Sequence, residues 1–372
     1  MNIGAPRQPR PERRVGITPE IARRYIQDGH LVLVEHGAGQ GAGVLDESFG
    51  EAGCEMVGSA WEADAVVTIG PPNETARSRL TAGAWLIGLL RPLDEPRAMR
   101  SLAGTGVTAM AFETLPRTTR AQSMDVLSSQ ATLAGYEMVL EAASRLPRIF
   151  PMMVTAAGTI RPASVVVLGC GVAGLQAIAT ARRLGAVVKG YDVRASAAEQ
   201  VESLGASFID LDVALQDPST SGGYARRLSG DDSSRLLKGI ERHLASADAV
   251  ITAAAIPGRP APTLISAEAV FGMRPGSVIV DGAAERGGNC VLTVPDRVVE
   301  VGGVTIVGPT DLEARPAADA SRTFARNAYE LFRYLNDPAT DGADDEIRDG
   351  VTITRDGRVV HPQVRALMEA SS

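Results

Sequence analysis

An apolar run, Ser164-Val-Val-Val-Leu-Gly-Cys-Gly-Val-Ala-Gly174, ends in Gly169-x-Gly171-x-x-Gly174 and is followed by Val187-Val-Lys-Gly-Tyr-Asp192. No other stretch restricts the fold as much. A GxGxxG alone is a weak signal. Here Val165 to Leu168 read as a buried strand and Leu175 to Leu184 as a helix. Asp192 ends the next strand about 20 residues downstream, which completes the dinucleotide-binding arrangement. Gly169 permits the tight turn, Gly171 lets backbone approach a pyrophosphate, and Gly174 allows close helix packing, so that the helix N-terminus can hold the anion. Asp192 can accept hydrogen bonds from a ribose 2′-hydroxyl, and its charge repels a 2′-phosphate, which argues for NAD over NADP. Arg194, two residues on, can blunt that preference. The competing reading is a strand-turn-helix whose glycines serve packing alone.

The chain's 372 residues suffice for two domains with separate cores. Aromatic residues make up only 4% of it, so Val, Ala, Ile and Leu must build the interior. A formal charge of −7 supplies no basic field for nucleic acid. Cys54, Cys170 and Cys290 are widely spaced with no C-x-x-C, which suits three free thiols in a reducing cytoplasm. No metal-ligand cluster is expected. No apolar stretch approaches the length of a membrane span, and Pro6-Arg-Gln-Pro-Arg-Pro-Glu-Arg-Arg14 is no signal peptide, so direct membrane insertion is not expected.

Short apolar runs at Leu31 to Glu35, Ala65 to Ile69, Trp85 to Leu90 and Thr108 to Phe112 alternate with helical patterns, as in an α/β domain. Thr18-Pro-Glu opens a helix with a threonine N-cap and proline at N1, and Asp46 to Ala52 suggests another. A long helical pattern, Met124 to Arg145, leads to Pro147–Pro162 and the glycine-rich motif. Ser207 to Asp210, Asp248 to Ala253, Ser277 to Asp281 and Val304 to Gly308 are spaced as further strands of one doubly wound parallel sheet. A helix from Ala318 to Leu335 and a hairpin turning at Asp356-Gly357 follow. These predict two Rossmann-like α/β domains, the second inserted in the first: 1–126 with 312–372, and 127–311.

A second signal is Pro116-Arg-Thr-Thr-Arg-Ala-Gln-Ser-Met-Asp-Val-Leu-Ser-Ser-Gln130, which is polar where a connector should be bland. Arg117, Gln122, Asp125 and Ser128 supply a guanidinium, an amide, a carboxylate and a hydroxyl, the groups needed to hold a nicotinamide carboxamide and ribose in an interdomain cleft. The local alternative has Ser123 or Asp125 capping the helix and Arg117 in a surface ion pair. His30, His36, His243 and His361 lie in no motif and read as loop or surface residues.

Arg14-Val-Gly-Ile-Thr-Pro-Glu, Arg120-Ala-Gln-Ser-Met-Asp-Val-Leu-Ser-Ser-Gln, Phe150-Pro-Met-Met-Val-Thr-Ala-Ala-Gly-Thr, Asp192-Val-Arg-Ala, Ile256-Pro-Gly-Arg-Pro-Ala-Pro and Gly287-Gly-Asn-Cys are long, specific strings. Through them essentially the whole chain resembles the soluble NAD-binding component, the alpha subunit or domain I, of proton-translocating nicotinamide nucleotide transhydrogenase. The resemblance implies that Arg117, Gln122, Asp125 and Ser128 line the nicotinamide. It implies that Gly222-Gly-Tyr224-Ala-Arg is a mobile loop closing on bound nucleotide with its tyrosine. Val172 and Ala173 of the turn, Val193 beside Asp192, and Gly258 and Glu285 in later loops complete the implied NAD(H) contacts. The implied reaction is hydride transfer between NADH held here and NADP⁺ on a separate domain, at about 3 to 3.5 Å between reacting atoms, with no acid or base required. Implied partners are an NADP(H)-binding domain, a proton-conducting membrane subunit and a second copy of the chain. The location implied is the cytoplasm, peripheral to the inner face of the membrane.

The architecture is shared with alanine dehydrogenase, whose chemistry needs an acid/base group. Arg14 matches that enzyme's substrate arginine. The lysine and histidine that also characterise its first domain are missing from Val66–Pro72 and Leu86–Pro92. Two loops depart from the transhydrogenase pattern: Asp281-Gly-Ala-Ala-Glu-Arg286, with Gly282 where a larger aliphatic is usual and Arg286 bringing charge, and Gly308-Pro-Thr-Asp-Leu-Glu-Ala-Arg315, with Pro309 and Glu313-Ala314. They mark either neutral drift or a stand-alone dehydrogenase whose small substrate would meet Arg14, Arg91 or Arg286. A non-catalytic NAD-binding subunit is the third class, and the intact connector quartet argues against it.

Overall fold

The computed structural model describes residues 1–211, 230–256, 258–340 and 345–370, with no side-chain detail for 230–234. The chain divides into two compact units, Met1–Gln130 with Ala314–Ser372, and Ala131–Glu313. The division falls inside the helix Val126–Arg145. Among the described residues no helix is long and apolar enough to cross a membrane.

The first unit is built on an eight-stranded sheet in the order Arg358–Val359, Thr352–Arg355, Thr108–Ala111, Trp85–Gly88, Ala65–Thr68, Asn2–Ala5, Leu31–Glu35, Glu55–Val57. The last six are mutually parallel, and the C-terminal hairpin adds antiparallel to Thr108–Ala111. Asn2–Ala5 lies inside the sheet, third from the Glu55–Val57 edge, although no strand is expected there from sequence. Four residues ahead of Pro6 carry too little pattern, and the position is set instead by close approach. A Cβ on Gly4 would sit 2.1 Å from the Ala60 carbonyl oxygen. The helix Ala317–Asn336 buries Phe324, Leu331 and Phe332, and Tyr25 of the helix Pro19–Gln27 meets the rings of Tyr329 and Phe332 edge-on at 5.0 and 5.1 Å. Thr18 takes the expected N-cap position before Pro19, yet its hydroxyl is buried and accepts no cap hydrogen bond. His361 is buried rather than at the surface, and burial lowers its pKa.

In the second unit seven strands run Ser207–Phe208, Val187–Tyr191, Ser164–Leu168, Ala249–Thr252, Val278–Asp281, Val304–Val307, Val298–Val301. All are parallel except the last, so this is the doubly wound sheet expected, with an antiparallel edge that the sequence pattern did not suggest. Both faces of Val165–Leu168 are buried, which is why the strand reads as a continuous Val-Val-Val-Leu run. The segment Met153–Thr155 and Gly158–Ile160, which sequence leaves as a plain connection, forms a separate two-stranded hairpin with every residue exposed.

Candidate dinucleotide site

The glycine-rich turn follows from three different steric demands. Gly169 has φ +91°, the left-handed region, and an added Cβ would meet the Ala254 amide nitrogen at 2.7 Å. Gly174 lies in the first turn of the helix Val172–Arg183, and its Cβ would fall 1.8 Å from the Gly169 carbonyl oxygen. Gly171 is the N-cap, and a Cβ there would meet nothing within 4 Å. Thus Gly169 and Gly174 close the turn upon itself while Gly171 faces open space. The helix begins at Val172, three residues earlier than the sequence suggested, so the backbone N–H groups of Val172 and Ala173 belong to its unsatisfied N-terminal turn. A twelve-residue helix presents its positive end there. This cradle fits a dinucleotide pyrophosphate.

Asp192 is brought beside the turn, but its carboxylate is not idle. Oδ2 accepts from the Cys170 backbone N–H at 2.8 Å, and Oδ1 from the Arg194 backbone N–H at 2.9 Å. The Arg194 guanidinium lies across both oxygens, Nε to Oδ1 at 2.9 Å and an Nη to Oδ2 at 3.0 Å. This pairing holds the guanidinium more firmly protonated, and Asp192 is buried beneath it. Arg194, which sequence left able to blunt the carboxylate's repulsion, is turned inward and paired with it. Val193 packs partly buried against the core on that side.

The loops that follow the strands Ala249–Thr252 and Val278–Asp281 are laced together by two buried polar side chains. Asp281 accepts from Thr252 Oγ1 at 2.7 Å, Thr293 Oγ1 at 2.6 Å and the backbone N–H groups of Ala283 and Cys290. Asn289 accepts from the Ala254 N–H and donates to the Ala254 and Pro262 carbonyls. Sequence reading did not single out either residue. Gly258, φ +70°, and exposed Glu285 lie on these loops. Gly282 has a local explanation: its missing side chain is replaced by Met138, whose sulfur would be 2.4 Å from an added Cβ. A small-for-large exchange filled by a flexible thioether conserves volume, so Gly282 opens no new substrate space. Pro309 is buried. Tyr224 lies outside the described residues.

The connector belongs to the first unit. Thr119–Met124 is a 3-10 helix, with Ala121 and Met124 in the core and Gln122 exposed. Asp125 caps the following helix, accepting from the Ser128 N–H at 2.9 Å and from its hydroxyl at 2.6 Å. The local alternative thus holds for Asp125, and it fixes the pair Asp125–Ser128 as one unit. Asn327 ties the segment to the long C-terminal helix, donating to the Ser123 carbonyl at 2.6 Å and accepting from Ser129 at 2.8 Å. Arg117 is exposed at the segment's start. The structure brings Asp125 and Ser128 into contact and leaves Arg117 and Gln122 facing outward.

Arg14, the candidate anchor for a substrate carboxylate, is buried and committed: Nε and one Nη bond both oxygens of Glu12 at 2.9 and 2.7 Å, and the other Nη donates to Gln130 at 2.8 Å. Gln130 in turn donates to the Ala320 carbonyl and to Thr323. A small substrate's carboxylate would therefore have to share Arg14 with Glu12 and Gln130. Glu113, unnoticed in sequence, lies just after the strand Thr108–Ala111 and accepts from the backbone N–H groups of Leu90 and Arg91, the latter at 2.6 Å with Arg91 held at φ +56°. Burial raises its pKa to about 7 against these lowering hydrogen bonds. A raised carboxylate pKa contributes stability that is complete below the unfolded value of 4.5 and is lost as pH rises through about 7. Glu113→Gln should therefore gain on the wild type by on the order of 3 kcal/mol between pH 4.5 and 8, read as the difference between urea unfolding curves across that range. A pH-independent difference would refute the burial argument.

The C-terminal domain of the alanine dehydrogenase/PNT family matches residues 138–362, and its N-terminal domain matches residues 4–134. The chain belongs to this family of oxidoreductases. It is similar to an NAD(P) transhydrogenase subunit alpha polypeptide of Rhodospirillum rubrum, 44% identical over 377 residues that cover 97% of this chain and 98% of the relative. A crystal structure of transhydrogenase from Sinorhizobium meliloti matches with a TM-score of 0.88 at 41% identity, covering 97% of this chain and all of the other. An L-alanine dehydrogenase structure matches with a TM-score of 0.80 at 27% identity over both chains entire.

Proposed function

We propose that this chain is the NAD(H)-binding hydride-transfer subunit of a nicotinamide nucleotide transhydrogenase, working with NADP(H) held on a partner domain. The reading is carried by one coincidence: an open phosphate-binding turn at Gly171 in a chain that resembles transhydrogenase alpha subunits from end to end. Bound nicotinamide would supply or accept the hydride. The chain's own contribution is to grip the pyrophosphate at the N–H groups of Val172 and Ala173, orient the adenosine ribose near Asp192, and hold the nicotinamide with Arg117, Gln122 and the fixed Asp125–Ser128 pair. Hydride transfer moves no proton, so the reaction asks none of these residues to act as an acid or a base. Tyr224, Gly258 and Glu285 complete the proposed contact set. A proton-conducting membrane subunit is the further partner, which would place the chain at the cytoplasmic face of the membrane.

The test is NADH oxidation by the purified chain with and without an NADP-binding transhydrogenase domain, using an NADP⁺ analogue whose reduction absorbs separately. Partner-dependent reduction is expected, with turnover lowered at least tenfold in Gln122→Asn while NADH affinity stays near normal. NADH binding without any transfer to the analogue would sink the reading.

We also infer a homodimer. The hairpin Met153–Thr155/Gly158–Ile160 exposes Met152, Met153, Val154 and Ile160, Val154 to 73%. A lone two-stranded hairpin is marginal in water, and an exposed apolar one calls for a cover, here a second copy. Val154→Asp should shift the species seen by analytical ultracentrifugation from dimer to monomer. A wild type that sediments as a monomer at all concentrations would contradict the inference.

A further inference from the structure

In the first unit Asn2–Ala5 lies between Leu31–Glu35 and Ala65–Thr68, all parallel. The strand order reverses there, and at such a point the loops after neighbouring strands diverge and leave a crevice outside their carboxyl ends. The second unit fills the equivalent place between its own strands with the glycine-rich turn. The first unit cannot, because Asn2–Ala5 runs into Pro6-Arg-Gln-Pro-Arg10 and the next helix begins only at Pro19. A cavity of about 480 Å³ opens at this point, bounded by Arg7, Gln8 and Arg10 from one diverging loop and Asn73 from the other. Its volume falls in the range of small-molecule sites.

Three arginines line the cavity, Arg7, Arg10 and Arg79, against the single acid Glu35, so 3 − 1 leaves +2. The chain as a whole carries −7. Among the described residues the guanidinium groups of Arg7 and Arg10 make no hydrogen bond or ion pair, and Arg79 has a 3.5 Å contact with Glu62 in which both side chains are about half exposed. Such a contact holds a guanidinium weakly. The loop that carries Arg7 and Arg10 is pinned from below: buried Gln8 donates to the Pro6 carbonyl at 3.1 Å and accepts from the buried Thr68 hydroxyl at 3.2 Å.

We propose that this cavity is a second ligand site, for a phosphate-bearing small molecule. A guanidinium fork matches pairs of phosphate oxygens, and several such forks around one concave space bind a multiply charged oxyanion. With no glycine-rich turn to admit a pyrophosphate backbone-first, the site takes something smaller than a dinucleotide and grips it by side chains. It is independent of the hydride-transfer reading, since every residue invoked lies in the first unit.

Calorimetric titration of the full chain with inorganic pyrophosphate, at ionic strength held constant with sodium chloride, tests this. Saturable binding in the sub-millimolar range is expected, weakened at least tenfold in the Arg7→Ala/Arg10→Ala double variant whose melting temperature stays that of the wild type. Citrate at the same ionic strength should bind at least tenfold less tightly than pyrophosphate. Binding unchanged in the double variant, or no saturable heat in the wild type, overturns the site; citrate binding as tightly as pyrophosphate overturns the assignment to phosphate.

Discussion

Gly174→Ala should lower NADH affinity at least a hundredfold and destabilise the second unit, while Gly171→Ala should weaken NADH about tenfold and leave thermal stability unchanged. An alanine in a helix is ordinarily worth about 1 kcal/mol over glycine. At Gly174 that gain is overwhelmed, because the new Cβ would lie 1.8 Å from the Gly169 carbonyl oxygen, and ordinary contact requires the helix end or the turn to move by more than about 1 Å. Overpacking of this kind costs about 1–3 kcal/mol or more. Any such movement also displaces the N–H groups of Val172 and Ala173 from the geometry an anion needs, and a hundredfold loss corresponds to about 2.7 kcal/mol. Gly171 is the contrasting case: its Cβ meets no protein atom, so the empty protein is indifferent and the methyl group intrudes only upon a ligand. Calorimetry with NADH and thermal unfolding of both variants separate the two glycines. Equal melting temperatures together with equal affinities would mean that the turn is not the phosphate cradle.

Arg194→Ala should raise the preference for NADH over NADPH by roughly tenfold or more. The pair Asp192–Arg194 is close to neutral as it stands, with the guanidinium bonded to both carboxylate oxygens. A 2′-phosphate arriving there meets a compensated carboxylate and a cation. Once the guanidinium is removed, the carboxylate keeps its backbone donors at Cys170 and residue 194 but loses its counter-charge. Two unit charges about 4 Å apart repel by about 4 kcal/mol at an effective dielectric near 20, and screening at a partly open site reduces this to about 1.4–2 kcal/mol, or about ten- to thirtyfold. Fluorescence titration with each nucleotide gives the ratio. An unchanged ratio in the variant would show that the ribose end does not meet this pair.

The two sites differ in the range of the forces that set them. The roles of the glycines are short-range steric facts: each depends on atoms within a few residues or on the adjacent strand, and a strand-GxGxxG-helix spacing can satisfy them in one way. The state of Asp192 was also a local matter, two residues from Arg194, yet sequence left open whether the arginine would turn inward or outward. Burial of the carboxylate decided it, since a buried charge is stabilised by a bonded partner.

The sequence by itself determined the doubly wound second sheet, the first-unit strands at Leu31, Ala65, Trp85 and Thr108, the helix starts at Pro19 and Asp46, and the connector as a polar segment. All of these rest on periodicity, turn chemistry and spacing. Only the tertiary structure decided that Asn2–Ala5 is an interior strand, that Met138 fills the space above Gly282, that Arg14 is bonded to Glu12 and Gln130, and that Glu113 accepts from the Leu90 and Arg91 N–H groups. Most of these join residues far apart in the chain, 116 positions for Arg14 and Gln130. Contacts at that separation leave no period in the sequence, because a close approach or a buried hydrogen bond depends on which elements the finished sheet places side by side.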